Sequence, residues 1–232
     1  MNESLQNTYP GLTGSGVVLE QRNRVLRNTY WLLALSMVPT VLGAWVGVST
    51  GIMNAMGGGM SAIVFLAGAF GFIFAIEKTK DSSAGVAVLL AFTFFMGLML
   101  ARMLAAVLGF KNGPSLVMTA FGGTAAVFIA MASLASVIKR DLSGMGKFLF
   151  VGAILLLVAA VINIFMQSTA LMATISVIAV GVFSAFMLYD IKRVIDGGET
   201  NYISATLAIY LDIFNVFQSL LALLGIFGGE RE

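Results

Sequence analysis

The chain has 232 residues, of which 59% are hydrophobic and 10% charged, and its formal net charge is only +2. It contains no Cys and no His, which excludes disulfides, thiolate nucleophiles, Ser-His-Asp triads and the usual His/Cys zinc sites. Any metal would have to be a hard, oxygen-liking ion such as calcium or magnesium, and so small a charge gives no reason to expect a nucleic-acid partner. This composition predicts an integral membrane protein.

Seven apolar runs are long enough to cross the bilayer as helices, because one crossing takes about 20 residues. They lie at Thr29–Val48, Met56–Ile76, Ala84–Leu108, Ser115–Ile138, Lys147–Phe165, Leu171–Ile191 and Ile203–Phe227. We therefore predict an all-α bundle of seven transmembrane helices, without a cofactor and as a monomer or weak oligomer. The alternative for the seventh run is a re-entrant segment that does not cross the bilayer, because polar residues interrupt the run.

The residues before the first run are polar and do not resemble the apolar core of a signal peptide. We expect residues 1–27 to stay on the mature protein as a cytoplasmic tail. Residues 28–229 are then a single membrane domain in contact with the lipid bilayer, and residues 230–232 are a short tail. In the first span, Gly43 and Gly47 form a small-xxx-small pattern and Pro39 is expected to kink the helix. The glycines predict close helix packing inside the molecule, with an oligomer face as the alternative.

Lys and Arg are distributed unequally between the two sets of alternating connections, which is the signal that sets membrane orientation. One side carries Arg22, Arg24, Arg27, Lys78, Lys80, Lys139, Arg140, Lys147, Lys192 and Arg193, and the other carries Lys111 and Arg231. Ten basic residues against two predict a cytoplasmic N-terminus. With seven crossings, the C-terminus is then outside the cell.

Two aspartates lie inside the last two apolar runs, where an ionisable group is costly and usually functional. If the sixth helix ends at Asp196 and the seventh begins near Tyr202, Asp190 and Asp212 lie about 9 Å and 15 Å from the same membrane side. The two carboxyl groups would then be close in depth. A pair in an apolar site cannot ionise fully at low cost and can hold one proton near neutral pH, whereas the ionised pair offers oxygen ligands for calcium.

The alternative for Asp190 is an interfacial ion pair with Lys147, Lys192 or Arg193. Asp212 lies deeper, and its side chain is too short to reach the interface. Asn215 follows Asp212 by one helical turn and is a candidate for the same proton or cation pathway. Together with Gln218 and Ser219, it predicts a polar, inward-facing side of the seventh helix.

Arg102 is the one basic residue well inside an apolar run. Its long side chain favours snorkelling to the nearer interface, and a counter-ion for a buried carboxylate is the functional alternative.

An aspartyl protease of the membrane is the enzyme class that these aspartates suggest first. Tyr189-Asp190 resembles the first motif of such enzymes, but the second, Gly-x-Gly-Asp, is absent because Ile209-Tyr210-Leu211 precedes Asp212. We therefore do not expect an enzyme.

The C-terminal third carries the most specific motifs. The stretches 196–207 (Asp-Gly-Gly-Glu-Thr-Asn-Tyr-Ile-Ser-Ala-Thr-Leu) and 210–221 (Tyr-Leu-Asp-Ile-Phe-Asn-Val-Phe-Gln-Ser-Leu-Leu) resemble the signature of the Bax inhibitor-1 (transmembrane Bax inhibitor motif) family. Residues 25–30 (Val-Leu-Arg-Asn-Thr-Tyr) are similar to its bacterial branch, which includes a modulator of the FtsH protease. The resemblance covers residues 22 to 228.

The resemblance implies a seven-helix protein of the bacterial inner membrane, in a family whose members leak calcium, some of them under pH control. Asp190 and Asp212 match the two aspartates that share protons and act as the pH sensor in those relatives. The protease-modulator branch implies a membrane-bound AAA protease as an alternative partner. One feature departs from the calcium-leak members, which carry a basic residue in the second helix that latches to the aspartates. The run Met56–Ile76 contains neither Lys nor Arg.

Overall fold

The protein is all-helical in the part that this computed structural model describes, residues 10–52 and 58–230. The helices are α1 (Pro10–Thr50), α2 (Gly58–Thr79), α3 (Ser83–Leu108), α4 (Gly113–Val137), α5 (Met145–Met166), α6 (Thr169–Ile195) and α7 (Tyr202–Gly228). Within these described ranges, all seven are long and apolar enough to span a membrane. The prediction of seven helices is confirmed. The re-entrant alternative for the seventh run is wrong, because α7 is one continuous helix.

The start of α1 differs from the predicted one. Helix α1 begins at Pro10, so a helix continues into the segment that we predict as a tail. Hydropathy reveals only the part of a helix that lies in lipid, and it therefore misses a polar extension. Helix α2 is described from Gly58 onward. The predicted start of the second run, Met56, and the tail residues 1–9 and 231–232 lie outside the described residues.

Most hydroxyl groups within the spans bond to the backbone of their own helix. The hydroxyls of Ser36, Thr124 and Ser176 donate to the carbonyls four residues earlier at 2.7–2.8 Å. A polar group in lipid must find an internal partner, and this bond supplies one without a second helix. Isolated Ser and Thr residues in the spans are therefore compatible with a purely structural role.

Helices α1 and α3 approach each other closely at glycines. A Cβ atom on Gly43 would lie 2.1 Å from the carbonyl oxygen of Phe94, and a Cβ atom on Gly97 would lie 2.0 Å from that of Thr40. A Cβ atom on Gly47 would lie 2.4 Å from Ala101 Cβ. Gly43 and Gly47 are buried against α3, so the small-xxx-small pattern serves packing inside the molecule. The alternative of an oligomer face at these glycines is wrong.

The core surrounds α7, which is packed by α1, α3, α4 and α6. The main cluster contains Leu32, Leu33, Ile76, Leu89, Phe92, Met96, Leu100, Ala135, Met187, Ile191, Ile203, Ile209, Tyr210, Phe214 and Val216. Tyr210 is the largest fully buried side chain in it, and its hydroxyl shares a hydrogen bond of 2.9 Å with Thr40 Oγ1. Helix α5 is peripheral. It is described over its whole length and buries only Leu156.

Side-chain contacts fix which connections share an end of the bundle. We call the end that carries residues 80–82, 138–144 and 196–201 the basic end. There, Asn201 Nδ2 donates to the carbonyl of Lys80 at 3.0 Å and to Asp81 Oδ1 at 2.9 Å. At the opposite end, Asn112 Nδ2 donates to the carbonyl of Gly228 at 2.7 Å. The α6–α7 hairpin is thus tied to the rest of the bundle at both ends.

Candidate functional site

The carboxyl groups of Asp190 on α6 and Asp212 on α7 lie next to each other. Asp190 lies five residues before the last residue of α6, and Asp212 lies ten residues after the first residue of α7. At 1.5 Å per residue these positions are about 7.5 Å and 15 Å from the basic end. The Cα–Cβ bonds of a helix tilt toward its N-terminus. In this antiparallel pair the tilt moves the two side chains toward each other and closes the offset.

The surroundings of the pair are apolar and tightly packed. Met187 and Ile191 on α6, and Ile209 and Val216 on α7, are all 0% exposed. Asp212 itself is 4% exposed, whereas Asp190 is partly buried. Water is therefore largely excluded from Asp212, and its charge would have to be compensated by protein groups or removed by protonation.

A bond between two carboxyl groups has a chemical requirement. An ionised carboxylate only accepts hydrogen bonds, so one of the two groups must carry a proton for the bond to form. Asp212 Oδ2 is buried, and among the described residues no N–H or hydroxyl group donates to it. Two adjacent carboxyl groups in such a setting can share one proton.

The basic side chains that we considered as partners of Asp190 have other contacts. Lys192 Nζ pairs with Asp196 Oδ1 at 2.8 Å, and Arg193 Nη2 lies 3.5 Å from Glu199 Oε2. Lys147 is exposed. In the described part of the chain, no Lys or Arg forms an ion pair with Asp190. The alternative of an interfacial ion pair at Asp190 is not found in this geometry.

The α6–α7 turn, residues 196–201, holds the two helices in register. Gly197 adopts a φ of +80°, which favours glycine and ends α6. Asn201 caps α7, since its Oδ1 accepts from the backbone N–H groups of Ile203 at 2.9 Å and Ser204 at 3.1 Å. Its side-chain amide also binds the α2–α3 connection. The motif Asp-Gly-Gly-Glu-Thr-Asn at residues 196–201 therefore has a structural explanation, because Gly197 ends α6 and Asn201 caps α7.

The predicted polar side of α7 is only partly present. Ser219 is buried, but Gln218 is exposed and does not face inward, so that part of the prediction is wrong. At 100° per residue, Ser219 returns to the face of Asp212 after seven residues, whereas Gln218 does not. Asn215 is partly buried and its Nδ2 donates to the carbonyl of Leu211 on its own helix at 2.7 Å. The side-chain amide of Asn215 therefore has a hydrogen-bond partner within its own helix.

Arg102 lies far from the pair. It is exposed on α3, six residues from the end of that helix and nineteen residues, or about 28 Å, from its start at the basic end. Asp212 lies only about 15 Å from that end. The structure therefore does not place Arg102 as a counter-ion, and its exposed side chain is close enough to the opposite interface to reach it.

Surface grooves formed by the described residues include two that the aspartates do not line. One, of about 420 Å³, lies between α4 and α7, and the other, of about 380 Å³, lies between α1 and the start of α7. Within the described residues, no group of three or more acidic side chains is arranged to hold a metal ion. Calcium usually takes six to eight oxygen ligands, so Asp190 and Asp212 would supply only part of a calcium coordination shell.

One basic residue that sequence reasoning did not single out reaches this region. Arg22 on α1 donates from Nη2 to the carbonyl of Ile195, at the end of α6. Its contact partner is 173 positions away in the chain, and no local spacing pattern indicates it. For Asn201, by contrast, a signal was present, because Asn directly before an apolar helical run is a common N-cap.

Comparison with known proteins gives consistent matches over almost the whole chain. Residues 22–229 match the family described as inhibitor of apoptosis-promoting Bax1. An uncharacterized membrane protein of Vibrio cholerae is 40% identical over 89% of this chain and 91% of its own length. A protein of Escherichia coli K12 named modulator of FtsH protease YccA is 36% identical over 88% of this chain and 90% of its own. Its counterpart in another Escherichia coli strain, with the same identity and coverage, is named as an inner membrane protein.

Proposed function

The chain belongs to the Bax inhibitor-1 family and is a multi-pass protein of the inner membrane, and from this premise we propose that its Asp190–Asp212 pair makes it a pH-sensitive cation leak. The observation that carries the proposal is the proximity of two carboxyl groups in an apolar core, where neither forms an ion pair with a Lys or Arg among the described residues. Calcium is the proposed cation, because carboxylate oxygens suit a hard divalent ion.

The shared proton acts as the switch. With one proton, the pair bridges α6 and α7 and keeps the core closed. When the proton leaves, two anions face each other where little water can screen them, and their repulsion favours separation of the helices. Separation would expose carboxylate oxygens to a passing cation. Acid therefore favours the closed form, and higher pH favours the open form.

Calcium flux into proteoliposomes tests this mechanism. The wild type should conduct more as the pH rises from about 6 to 8, the range in which a shared proton is expected to leave. Asp212→Asn keeps the size of the side chain but removes one charge, so its flux should no longer follow pH. Gln218→Asn is a matched control, because it changes an exposed polar residue of the same helix. Equal flux in wild type and Asp212→Asn at every pH would contradict the proposal.

A second candidate is a non-enzymatic regulator of a membrane-bound AAA protease. It is favoured by the relative at 36% identity, which is named a modulator of FtsH protease. Co-purification of such a protease with the full chain, and with a variant lacking residues 1–20, tests this candidate. A complex that is lost on truncation would support regulation through the N-terminal segment. Absence of a complex with either form would contradict it.

The orientation of the chain is part of the proposal. The excess of Lys and Arg at the basic end supports a cytoplasmic position for that end and an outside position for the C-terminus. Because the chain has no Cys, single reporters are unambiguous. We expect an impermeant maleimide added to intact cells to label Ser115→Cys, at the opposite end, and to leave Ser82→Cys unlabelled. The reverse pattern would invert the assignment.

A further inference from the structure

The N-terminal part of α1 contacts the end of α6 through one arginine. Arg22 donates from Nη2 to the carbonyl of Ile195, the last residue of α6. The same side chain packs on Gly197, where a Cβ atom would lie 3.1 Å from Arg22 Nε and 3.2 Å from its Cδ. Gly197 therefore has two functions, since it adopts a left-handed φ and leaves room for the arginine.

The chemistry of this contact favours a cation. The last carbonyl groups of a helix have no partners within the helix, and they carry the negative end of its dipole. A guanidinium group at this position supplies both a hydrogen bond and a positive charge. Arg22 Nε is buried without a hydrogen-bond partner, which is unfavourable unless the rest of the contact compensates for it. Arg22 is thus held in place by α6 and is not extended into solvent.

We propose that Arg22 docks the N-terminal part of α1, residues 10–27, onto the α6–α7 turn and acts as a positioning residue for the aspartate pair. Ile195 follows Asp190 by five residues, so the last turn of α6 connects the docked carbonyl to the carboxyl group. Freeing that turn lets the α6 end move away from α7. A partner that binds the N-terminal segment, or a truncation that removes it, would thereby affect the aspartate pair.

Other charged groups lie at the same end and have to be distinguished from Arg22. Asp190 lies near Asp212, Arg193 and Glu199 and interacts electrostatically with them. The other charged side chains at this end are Glu20, Glu77, Lys78, Lys80 and Asp81, Lys139, Arg140, Asp141 and Lys147, and Lys192 and Asp196. Arg24 and Arg27 are exposed on the same helix as Arg22 and form no ion pair with any described residue. Arg24 is therefore the matched control for charge and helix position.

The docking is tested with a buried thiol in the last turn of α6. Val194 is 1% exposed, so in Val194→Cys a soluble maleimide reacts only when that turn opens. Adding Arg22→Ala should speed labelling by about fivefold or more, the effect expected for loss of a capping charge. Arg24→Ala should leave the rate within about twofold. A thiol in α4, Ala120→Cys, reports opening elsewhere and should not respond. Equal labelling in Arg22→Ala and Arg24→Ala would overturn the docking.

Coupling to the aspartates is tested by a double-mutant cycle on the same reporter. Effects of Arg22→Ala and Asp212→Asn should be non-additive by at least about threefold if both act on one element. Additivity would overturn the positioning role. If Arg22→Ala does not fold, Arg22→Gln removes the charge and keeps an amide donor in the cycle. The proposal rests on the proposed function only in assigning the Asp190–Asp212 pair a role in cation conduction. Labelling needs no calcium, so a chain that does not conduct would refute the leak and leave the docking intact.

Discussion

Replacing Gly97 by Ala should push α1 and α3 apart. The new Cβ would lie 2.0 Å from the carbonyl oxygen of Thr40 and 2.9 Å from the backbone nitrogen of Ala44. Close C···O contacts in helix interfaces are about 3.3 Å, so the backbones would have to separate by about 1.3 Å. Both atoms belong to a helix backbone that cannot rotate away, as the end of a side chain could.

The size of this effect follows from two opposing terms. Overpacking of a core typically costs about 1–3 kcal/mol, and the upper end applies where backbone must move. Replacing Gly by Ala inside a helix also stabilises the helix by up to about 1 kcal/mol, which offsets part of this cost. We therefore expect Gly97→Ala to lose about 1–2 kcal/mol of unfolding free energy, measured by reversible unfolding in mixed detergent micelles with helix content as the signal.

The same substitution at Gly122 is the control. Gly122 lies on α4, and a Cβ atom added there would have no neighbouring atom within 4 Å. Gly122→Ala should therefore be neutral or gain up to about 1 kcal/mol. A Gly97→Ala protein as stable as Gly122→Ala would refute the conclusion that backbone contact fixes the α1–α3 spacing.

Further predictions concern three polar contacts. Asn201→Ala removes the cap of α7 and the bond to the α2–α3 connection, and should lower the unfolding free energy by about 1–2 kcal/mol in the same assay. Tyr210→Phe removes the hydrogen bond to Thr40 and should cost about 1 kcal/mol. Hydrogen bonds from Ser143 lower the pKa of Asp141 below its ordinary value of 3.8. Their stabilisation is therefore complete above that value and is lost as pH falls through the lowered pKa. Amide exchange at Ser143 should rise in acid, and Asp141→Asn should abolish this dependence.

The membrane spans could be predicted from sequence because hydrocarbon imposes a strong local requirement on about 20 consecutive residues. The polar part of α1 could not, because no such requirement acts on residues 10–27. Their helix continues from the span, and at Arg22 it gains a contact with α6. The glycine contacts between α1 and α3 were indicated by Gly43 and Gly47, but their partner helix was not, since spacing along one helix says nothing about what it packs against.

The aspartate pair was partly predictable. Helix arithmetic placed Asp190 and Asp212 at similar depths, and the antiparallel hairpin makes such residues neighbours. The sequence left open whether the two side chains face each other or basic partners, because helix rotation depends on packing by Met187, Ile191 and other core residues. Gln218 was misassigned for a simpler reason. Polarity alone was taken as a sign of an inward position, although its angle on the helix differs from that of Asp212.

The central claim is that Asp190 and Asp212 share one proton in the closed form. Infrared spectroscopy of the protein in bilayers measures it directly, because a protonated carboxyl group absorbs separately from a carboxylate. We expect a signal equal to one protonated carboxyl group per chain at about pH 6, lost by about pH 8 and absent from the Asp190→Asn, Asp212→Asn double variant. A signal that is unchanged in the double variant, or no protonated carboxyl group in the wild type across this range, would contradict the account.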